Sequence, residues 1–341
     1  MEKKNLDWGS LGFEYTVTDY RYISDYKDGK WGEGQLIEDP NVTMSECAGV
    51  LHYSQTVFEG CKAYTTKDGK IVVFRPDMNA QRLQDSAEYI EMPAYPADKF
   101  VEAIDEVVKA NAAWVPPYGT GASLYIRPVM FATGPVIGVK PADEYQFRII
   151  TMPVGPYFKG GAKPLTLMVS PYDRAAPHGT GHIKAGLNYA MSLHAHHDAH
   201  SKGFDENMFL DPKERKYVEE TGGANFLFVT KDGELVTPKS DSILPSITRR
   251  SLVYVAEHVL GMKVTTRKVE VAELKDFAEC GLCGTAAVIS PVGKIVNGDE
   301  EICFPSGMEE MGPVTKKLYD TLTGMQAGEI EAPEGWIHEI C

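Results

Sequence analysis

The sequence predicts a mixed α/β protein of two domains, and three observations carry that prediction. At 341 residues, with 43% hydrophobic and 10% aromatic content, the chain is long enough to bury two cores. Short β-rich runs behind hairpin signals alternate with stretches striped at helical spacing. A segment dense in glycine and proline, Pro153-Val154-Gly155-Pro156-Tyr157-Phe158-Lys159-Gly160-Gly161-Ala162-Lys163-Pro164, separates two apolar β-like runs. The expected division is a smaller N-terminal α/β domain over 1–152, a linker over 153–166 and a larger C-terminal domain over 167–341.

Taken in order, Lys67-Asp68-Gly69-Lys70 is a hairpin signal leading into a strand from Ile71 to Phe74. Phe100, Ile104, Val107 and Val108 mark one face of a helix. Beyond the linker, Leu165 to Val169, Phe226 to Val229 and Ala286 to Ile289 read as strands, with a second hairpin signal at Asp232-Gly233. Leu252, Val255 and Val259 stripe a helix closed by Gly261. No repeat or low-complexity tract interrupts this pattern.

Charge and composition exclude several function classes. Thirty-four Lys and Arg against 48 Asp and Glu give a net charge of −14 with no basic run, which repels phosphate backbones and anionic lipid. Nucleic acid and membrane are therefore not expected as partners. Met1 to Trp8 has no apolar core of signal-peptide length, and no segment has the apolar length of a membrane span, so a cytoplasmic protein is expected. Six cysteines are too sparse for a disulfide scaffold. The one close pair, Cys280-Gly281-Leu282-Cys283, lacks the context of a redox motif, and buried or incidental thiols are the expectation.

Chemistry enters with Lys184, in His178-Gly179-Thr180-Gly181-His182-Ile183-Lys184-Ala185-Gly186-Leu187-Asn188-Tyr189. A lysine among glycines and apolar residues, kept from water, loses its proton readily and becomes a nucleophile. Taken alone the stretch is an ordinary loop lysine before a helix. Downstream, Tyr217-Val218-Glu219-Glu220-Thr221-Gly222-Gly223-Ala224-Asn225 sets carboxylates at the mouth of a turn. An amine that forms an imine with an aldehyde, and an acid that keeps a pyridine nitrogen protonated, are what pyridoxal phosphate chemistry requires. The glycines around Lys184 lack the spacing of a nucleotide P-loop, so the phosphate cradle is sought elsewhere. Leu244-Pro245-Ser246-Ile247-Thr248 opens a helix whose free N–H groups suit an anion, and Gly284-Thr285-Ala286 offers a second turn of amides. Singly, each also reads as a plain capped helix or a turn leading into a strand.

In order along the chain stand Tyr53-Ser54-Gln55-Thr56-Val57-Phe58-Glu59-Gly60, Arg82, Leu124-Tyr125-Ile126-Arg127-Pro128-Val129, Lys184 with Asn188-Tyr189, Glu220, Leu244 to Thr248, and Gly284-Thr285-Ala286. This series, from about residue 45 to about residue 300, resembles the branched-chain amino acid aminotransferases, fold type IV pyridoxal phosphate enzymes. The resemblance implies a two-domain architecture with pyridoxal 5'-phosphate between the domains. It also implies amino-group transfer between leucine, isoleucine or valine and 2-oxoglutarate through an aldimine on Lys184. Lys184 would also shuttle the proton between substrate and cofactor carbons. Glu220 would pair the ring nitrogen and Tyr189 the phenolic oxygen, while Arg82, the amides of Ile247 and Thr248, and Thr285 would hold the phosphate.

By the same resemblance, the Thr285 and Ala286 amides meet the substrate α-carboxylate, and Phe58, Tyr125 and Tyr157 line an aromatic side-chain pocket. Tyr53, Ile137 and Val139 match positions lent to a neighbouring subunit, which implies a homodimer. Arg127 matches the residue that accepts the distal carboxylate of glutamate. Two departures matter. The redox C-x-x-C that some eukaryotic members carry after the Gly-Thr-Ala turn is missing, because Ala286 to Pro291 contains no cysteine, and position 224 is alanine where many bacterial members place a second glutamate.

His194, His196, His197 and His200 crowd one stretch, and His196 with His200 has the spacing to share a metal. No carboxylate or cysteine can be placed beside them, so an imidazole-rich helix surface is expected and no metal. The rival readings are a sister fold type IV activity, D-amino acid aminotransferase or aminodeoxychorismate lyase, and, in a different class, a non-catalytic cofactor- or metal-binding protein. The first would share Lys184 and Glu220 but not the context of Arg127 and Tyr53 to Phe58.

Overall fold

The structure, a computed structural model, describes residues 2–155 and 163–341. The chain forms two compact units. The first comprises Met1–Tyr157, Ile183–Leu187 and Gly324–Cys341, and the second Phe158–His182 and Asn188–Thr323. Each is built on a sheet with helices, a mixed α and β architecture. The strand Tyr145–Val154 and the strand Leu165–Val169 extend into the two ends of the 153–166 span.

In the first unit the strands are β1 (Arg21–Lys27), β2 (Lys30–Trp31), β3 (Gln35–Ile37), β4 (Thr56–Phe58), β5 (Cys61–Thr65), β6 (Ile71–Phe74), β7 (Ser123–Ala132) and β8 (Tyr145–Val154). The helices are α1 (Gly49–Tyr53), α2 (Pro76–Tyr89) and α3 (Ala97–Ala110). The second unit holds β9 (Leu165–Val169), most of α4 (Gly186–Ser201), β10 (Glu206–Met208), β11 (Asn225–Thr230), β12 (Leu235–Pro238) and α5 (Ile247–Tyr254). It continues with β13 (Val264–Arg267), β14 (Phe277–Gly284), β15 (Val288–Asn297), β16 (Glu300–Cys303) and most of α6 (Pro313–Gln326). The chain then returns to the first unit with β17 (Ile337–Glu339).

The first sheet runs β17-β6-β5-β7-β8-β1-β2, with β3 beside β1 and β4 beside β7. Its two faces differ because side chains alternate along each strand. Val57, Cys61, Ala63, Leu124, Ile126 and Met130 point into one core with Leu83, Phe100, Ile104, Val107 and Val108 of α2 and α3. The register pairs Lys62 with Tyr125 and Phe58 with Val129, so Phe58, Lys62, Tyr125 and Arg127 share the opposite face. Both β4 and β5 pair with β7, and the break between them is Glu59-Gly60. The second sheet runs β10-β9-β15-β14-β11-β12-β13, with β16 beside β15, over a core of Phe226, Phe228, Phe277, Leu282 and Ile295.

The strands expected at Ile71 to Phe74 and Leu165 to Val169 are formed, and Phe226 to Val229 lies within β11. The strand expected from Ala286 begins later, at Val288, because Thr285 to Ala287 form the turn between β14 and β15. Val288 closes that turn at φ 63°, a left-handed conformation that a β-branched residue adopts only under strain. The stripe Leu252, Val255, Val259 passes from α5 into a π-helical turn over Val255–Val259, and Gly261 ends it at φ 64°. Among the described residues, no helix is long and apolar enough to cross a membrane.

Candidate active site

In the first unit, Lys184 lies along the edge of β4. Its carbonyl accepts from Phe58 N at 3.1 Å, its own N–H donates to Ser86 Oγ at 3.0 Å, and Ala185 bridges to Val57. The Lys184 amine stands 4.7 Å from the centre of the Phe58 ring. The Arg127 guanidinium lies 4.7 Å from the same ring and 5.2 Å from that of Tyr125, and its Nε and Nη2 donate to the Tyr125 hydroxyl at 3.1 and 2.8 Å. Four expected residues, Phe58, Tyr125, Arg127 and Lys184, are thus brought together. Gly60 makes room for them, since a Cβ there would run into the Tyr125 hydroxyl.

Arg82 is on α2, with its Nε and Nη2 donating to Glu59 at 2.7 and 2.8 Å. Glu59 also accepts from Asn79 Nδ2 at 2.6 Å and from Gly60 N at 3.1 Å. Burial pushes the Glu59 carboxyl up, but the Arg82 guanidinium, with help from the charge of Lys184, overcomes it and holds the group below the usual carboxylate range. Tyr53 donates to the Ile137 carbonyl. Ile137 and Val139 are 66% and 87% exposed on this single chain. Tyr157 lies outside the described residues.

In the second unit, Glu220 is buried. Its Oε1 faces Arg174 Nη2 at 2.7 Å and accepts from Leu244 N at 2.8 Å, and its Oε2 accepts from Asn225 Nδ2 at 2.7 Å. Burial pushes this carboxyl up against the pull of Arg174. The bond to Leu244 ties Glu220 to the start of the run that ends in α5. There Ser246 caps the helix, its Oγ accepting from Arg249 N at 3.2 Å, while the amides of Ile247 and Thr248 have no acceptor among the described residues. Two free amides at a helix N-terminus are a seat for an anion. Thr285 and Ala286 occupy the β14–β15 turn, next to the strand pair Asn225 and Cys283. Tyr189 is in the first turn of α4, half-buried.

Sequence reasoning missed Lys62, Asn79, Arg174 and the partner role of Glu59. Lys62 was within reach of it: a lysine between the apolar Cys61 and Ala63 of a strand must face the other side of the sheet. It is buried beside Tyr125 and burial pulls its amine down to about 8. Arg174 gives no local signal, because two of its partners, Glu220 and Ser242, come from distant segments.

The histidines of α4 are exposed. The His196 and His200 rings lie 4.1 Å apart at a tilt of 43°, His200 Nε2 meets the Asp205 carbonyl, and His194 meets the Tyr172 hydroxyl. Among the described residues no group of three or more potential ligands is placed to hold a metal ion. Cys280 and Cys283 are both buried, and burial pushes the Cys283 thiol up to about 12.

The chemistry of this donor set can be tested against a phosphate-bearing pyridine aldehyde. The first unit offers an amine beside an aromatic ring; the second offers a buried acid with a guanidinium behind it and a helix start with two amides to spare; each, taken within its own unit, answers one requirement of such a group. The family described as Amino-transferase class IV matches residues 56–295. The branched-chain-amino-acid aminotransferase of Haemophilus influenzae is 51% identical over 99% of both chains. The crystal structure of the Escherichia coli branched-chain amino acid aminotransferase superposes with a TM-score of 0.79 at 31% identity, covering 95% of this chain and 99% of that one. The branched-chain amino acid aminotransferase of Thermobaculum terrenum, solved in its PLP-form, has a TM-score of 0.79 at 28% identity, again over 95% and 99%.

Proposed function

Because the chain belongs to the class IV aminotransferases and, within them, to the branched-chain-amino-acid aminotransferases, we propose that it moves the amino group between leucine, isoleucine or valine and 2-oxoglutarate with pyridoxal 5'-phosphate as cofactor. The observation that carries this reading is the meeting of Lys184, Phe58, Tyr125 and Arg127 on one side of the first sheet.

The cofactor, when bound, supplies an aldehyde for the amine and a ring that takes up the electrons of a substrate carbanion. Lys184 Nζ would hold it and would carry the proton at the substrate α-carbon. Glu220 holds the ring nitrogen protonated, and Tyr189 orients the ring through its phenolic oxygen. Arg82, the Ile247 and Thr248 amides and Thr285 seat the phosphate. The Thr285 and Ala286 amides take the α-carboxylate, and Phe58, Tyr125 and Tyr157 enclose a hydrocarbon side chain. Arg127 meets the distal carboxylate of glutamate, so one pocket accepts both an apolar chain and an acid. The exposed Tyr53, Ile137 and Val139 are contributed to the neighbouring subunit of a homodimer.

The test is an absorbance titration of the purified protein with leucine and then 2-oxoglutarate. The visible chromophore is expected to shift with the first and return with the second. Lys184→Ala is expected to lose covalent attachment and at least about a thousandfold in turnover, since nucleophile and proton carrier go together. A chromophore indifferent to leucine, or turnover that survives in Lys184→Ala, rejects the reading.

A further inference from the structure

Two buried acids and one guanidinium stand together in the second unit, and their charges do not balance. Glu219 and Glu220 are 2% and 3% exposed and Arg174 6%. Arg174 Nη2 reaches Glu220 Oε1 at 2.7 Å and donates to the carbonyls of Gly181 and Ser242. Gly181 is packed so closely on this group that a Cβ there would strike Ser242 and Arg174. Glu219 Oε1 accepts from Ser240 Oγ at 2.7 Å, whereas Glu219 Oε2 has no partner among the described residues. Arg174 Nε and the Ser242 hydroxyl are likewise buried without partners. That hydroxyl is near enough to influence the Glu219 carboxyl without closing a hydrogen bond to it.

Fully ionised, the three groups carry one uncompensated negative charge among buried side chains, which their burial disfavours. The other groups acting on them do not correct this. Arg249, half-buried, brings one positive charge toward Glu220, and Asp211 brings one negative charge against Glu219, so the sum is unchanged. The Cys283 thiol, pushed up by burial, stays neutral. A proton on one of the two acids restores balance and supplies an O–H for the unpartnered Glu219 oxygen to offer Ser242.

We propose that Glu219 and Glu220 share one proton around Arg174 in the cofactor-free chain, and that Glu219 is a positioning residue which gives this proton up when a pyridinium comes to lie against Glu220. The inference rests on the reading of Glu220 as the ring-nitrogen partner. The carboxyl O–H bond breaks. Its proton goes to the ring nitrogen if the ring arrives neutral, or to water if the ring arrives protonated. Either way two carboxylates, one guanidinium and one pyridinium remain, and their charges sum to zero. Burial pushes both carboxyls up, in keeping with a retained proton.

The experiment is infrared difference spectroscopy of the cofactor-free protein near neutral pH. A carboxylic-acid C=O band is expected. Glu219→Gln and Glu220→Gln should each abolish it, although each leaves one carboxyl in place, because the remaining acid then pairs one-to-one with Arg174 and ionises. Wild type raised in pH should lose the band in a one-proton step, a measurement that needs no variant to fold. Loading wild type with pyridoxal 5'-phosphate should also remove the band. Calorimetry in buffers of different ionisation heat should find about one proton fewer released on loading Glu219→Gln than on loading wild type. Absence of the band in the cofactor-free chain, its survival in either variant, or its persistence after loading overturns the proposal. If the cofactor does not bind at all, the proposed function fails, while the band and its loss in both variants still decide whether the proton is shared.

Discussion

Glu59 in the first unit and Glu220 in the second are both buried, yet their carboxyls are displaced in opposite directions, Glu59 downward and Glu220 upward. Burial disfavours the charge of both, so the difference lies in what surrounds them. Glu59 has two nitrogens of one guanidinium, the Asn79 amide and the Gly60 N–H, and it feels the charge of Lys184. Glu220 has the Leu244 N–H and the Asn225 amide, but only a single nitrogen of Arg174, which also serves two carbonyls, and it has a second acid alongside. Burial alone does not set the state of an acid; the number of dedicated donors and the local sum of charge do.

The largest effect expected from this contrast is on stability. Arg82→Met strands an ionised, buried Glu59 and should cost about 3–5 kcal/mol in cofactor-free protein. Arg174→Met should cost less, about 1–3 kcal/mol, because Glu220 escapes by keeping a proton. Urea unfolding of both variants checks the order, and Glu59→Gln added to Arg82→Met should recover most of the loss. Equal costs for the two arginine variants would mean that the two acids are held alike.

A third guanidinium sharpens the comparison, since Arg127 meets a neutral phenol where Arg82 and Arg174 meet carboxylates. In the proposed reaction its acid is brought by the substrate. Arg127→Ala should lose about 2–3 kcal/mol of transition-state stabilisation with glutamate, roughly a thirty- to hundredfold fall in kcat/KM, and much less with leucine. Stopped-flow measurement of both half-reactions separates the two, and equal losses would assign Arg127 a structural role.

Much of this was legible in the sequence, for local reasons. The Asp-Gly hairpin signal and the helical stripe of Phe100, Ile104, Val107 and Val108 are short-range patterns, and α3 and β6 appear where they point. Lys184, Glu220 and the Ser246-capped start of α5 sit in contiguous motifs. What was not legible depends on segments far apart in the chain. The Glu59–Arg82 pair joins the β4–β5 break to the middle of α2, and Arg174 is tied to Glu220 and Ser242 in segments far along the chain. The return of β17 to the first sheet carries no local signal at all, because a three-residue edge strand has too little pattern to read. The strand expected from Ala286 loses Ala286 and Ala287 to the turn, which Val288 closes at positive φ as it opens β15.

The smallest expected effect is the pH dependence of stability, and it separates the two acids by sign. A carboxyl held low in the folded chain binds fewer protons there than when unfolded, so Glu59 stabilises the protein above the ordinary carboxylate range. That contribution is lost as pH falls through its folded value. Glu219 and Glu220 are held high, so the folded chain binds more protons than the unfolded one between the ordinary range and their folded values. Their contribution therefore worsens as pH rises through that window. Glu219→Gln removes one titrating carboxyl and lets the other ionise against Arg174. The decline of stability on the rising-pH side should then flatten by on the order of 1 kcal/mol, the value of about one pKa unit. Glu59→Gln should instead flatten the acid side and leave the other unchanged. Urea midpoints of cofactor-free wild type and both variants across this range decide it: if Glu219→Gln alters only the acid side, Glu219 is ionised at neutral pH and the two acids differ less than their surroundings imply.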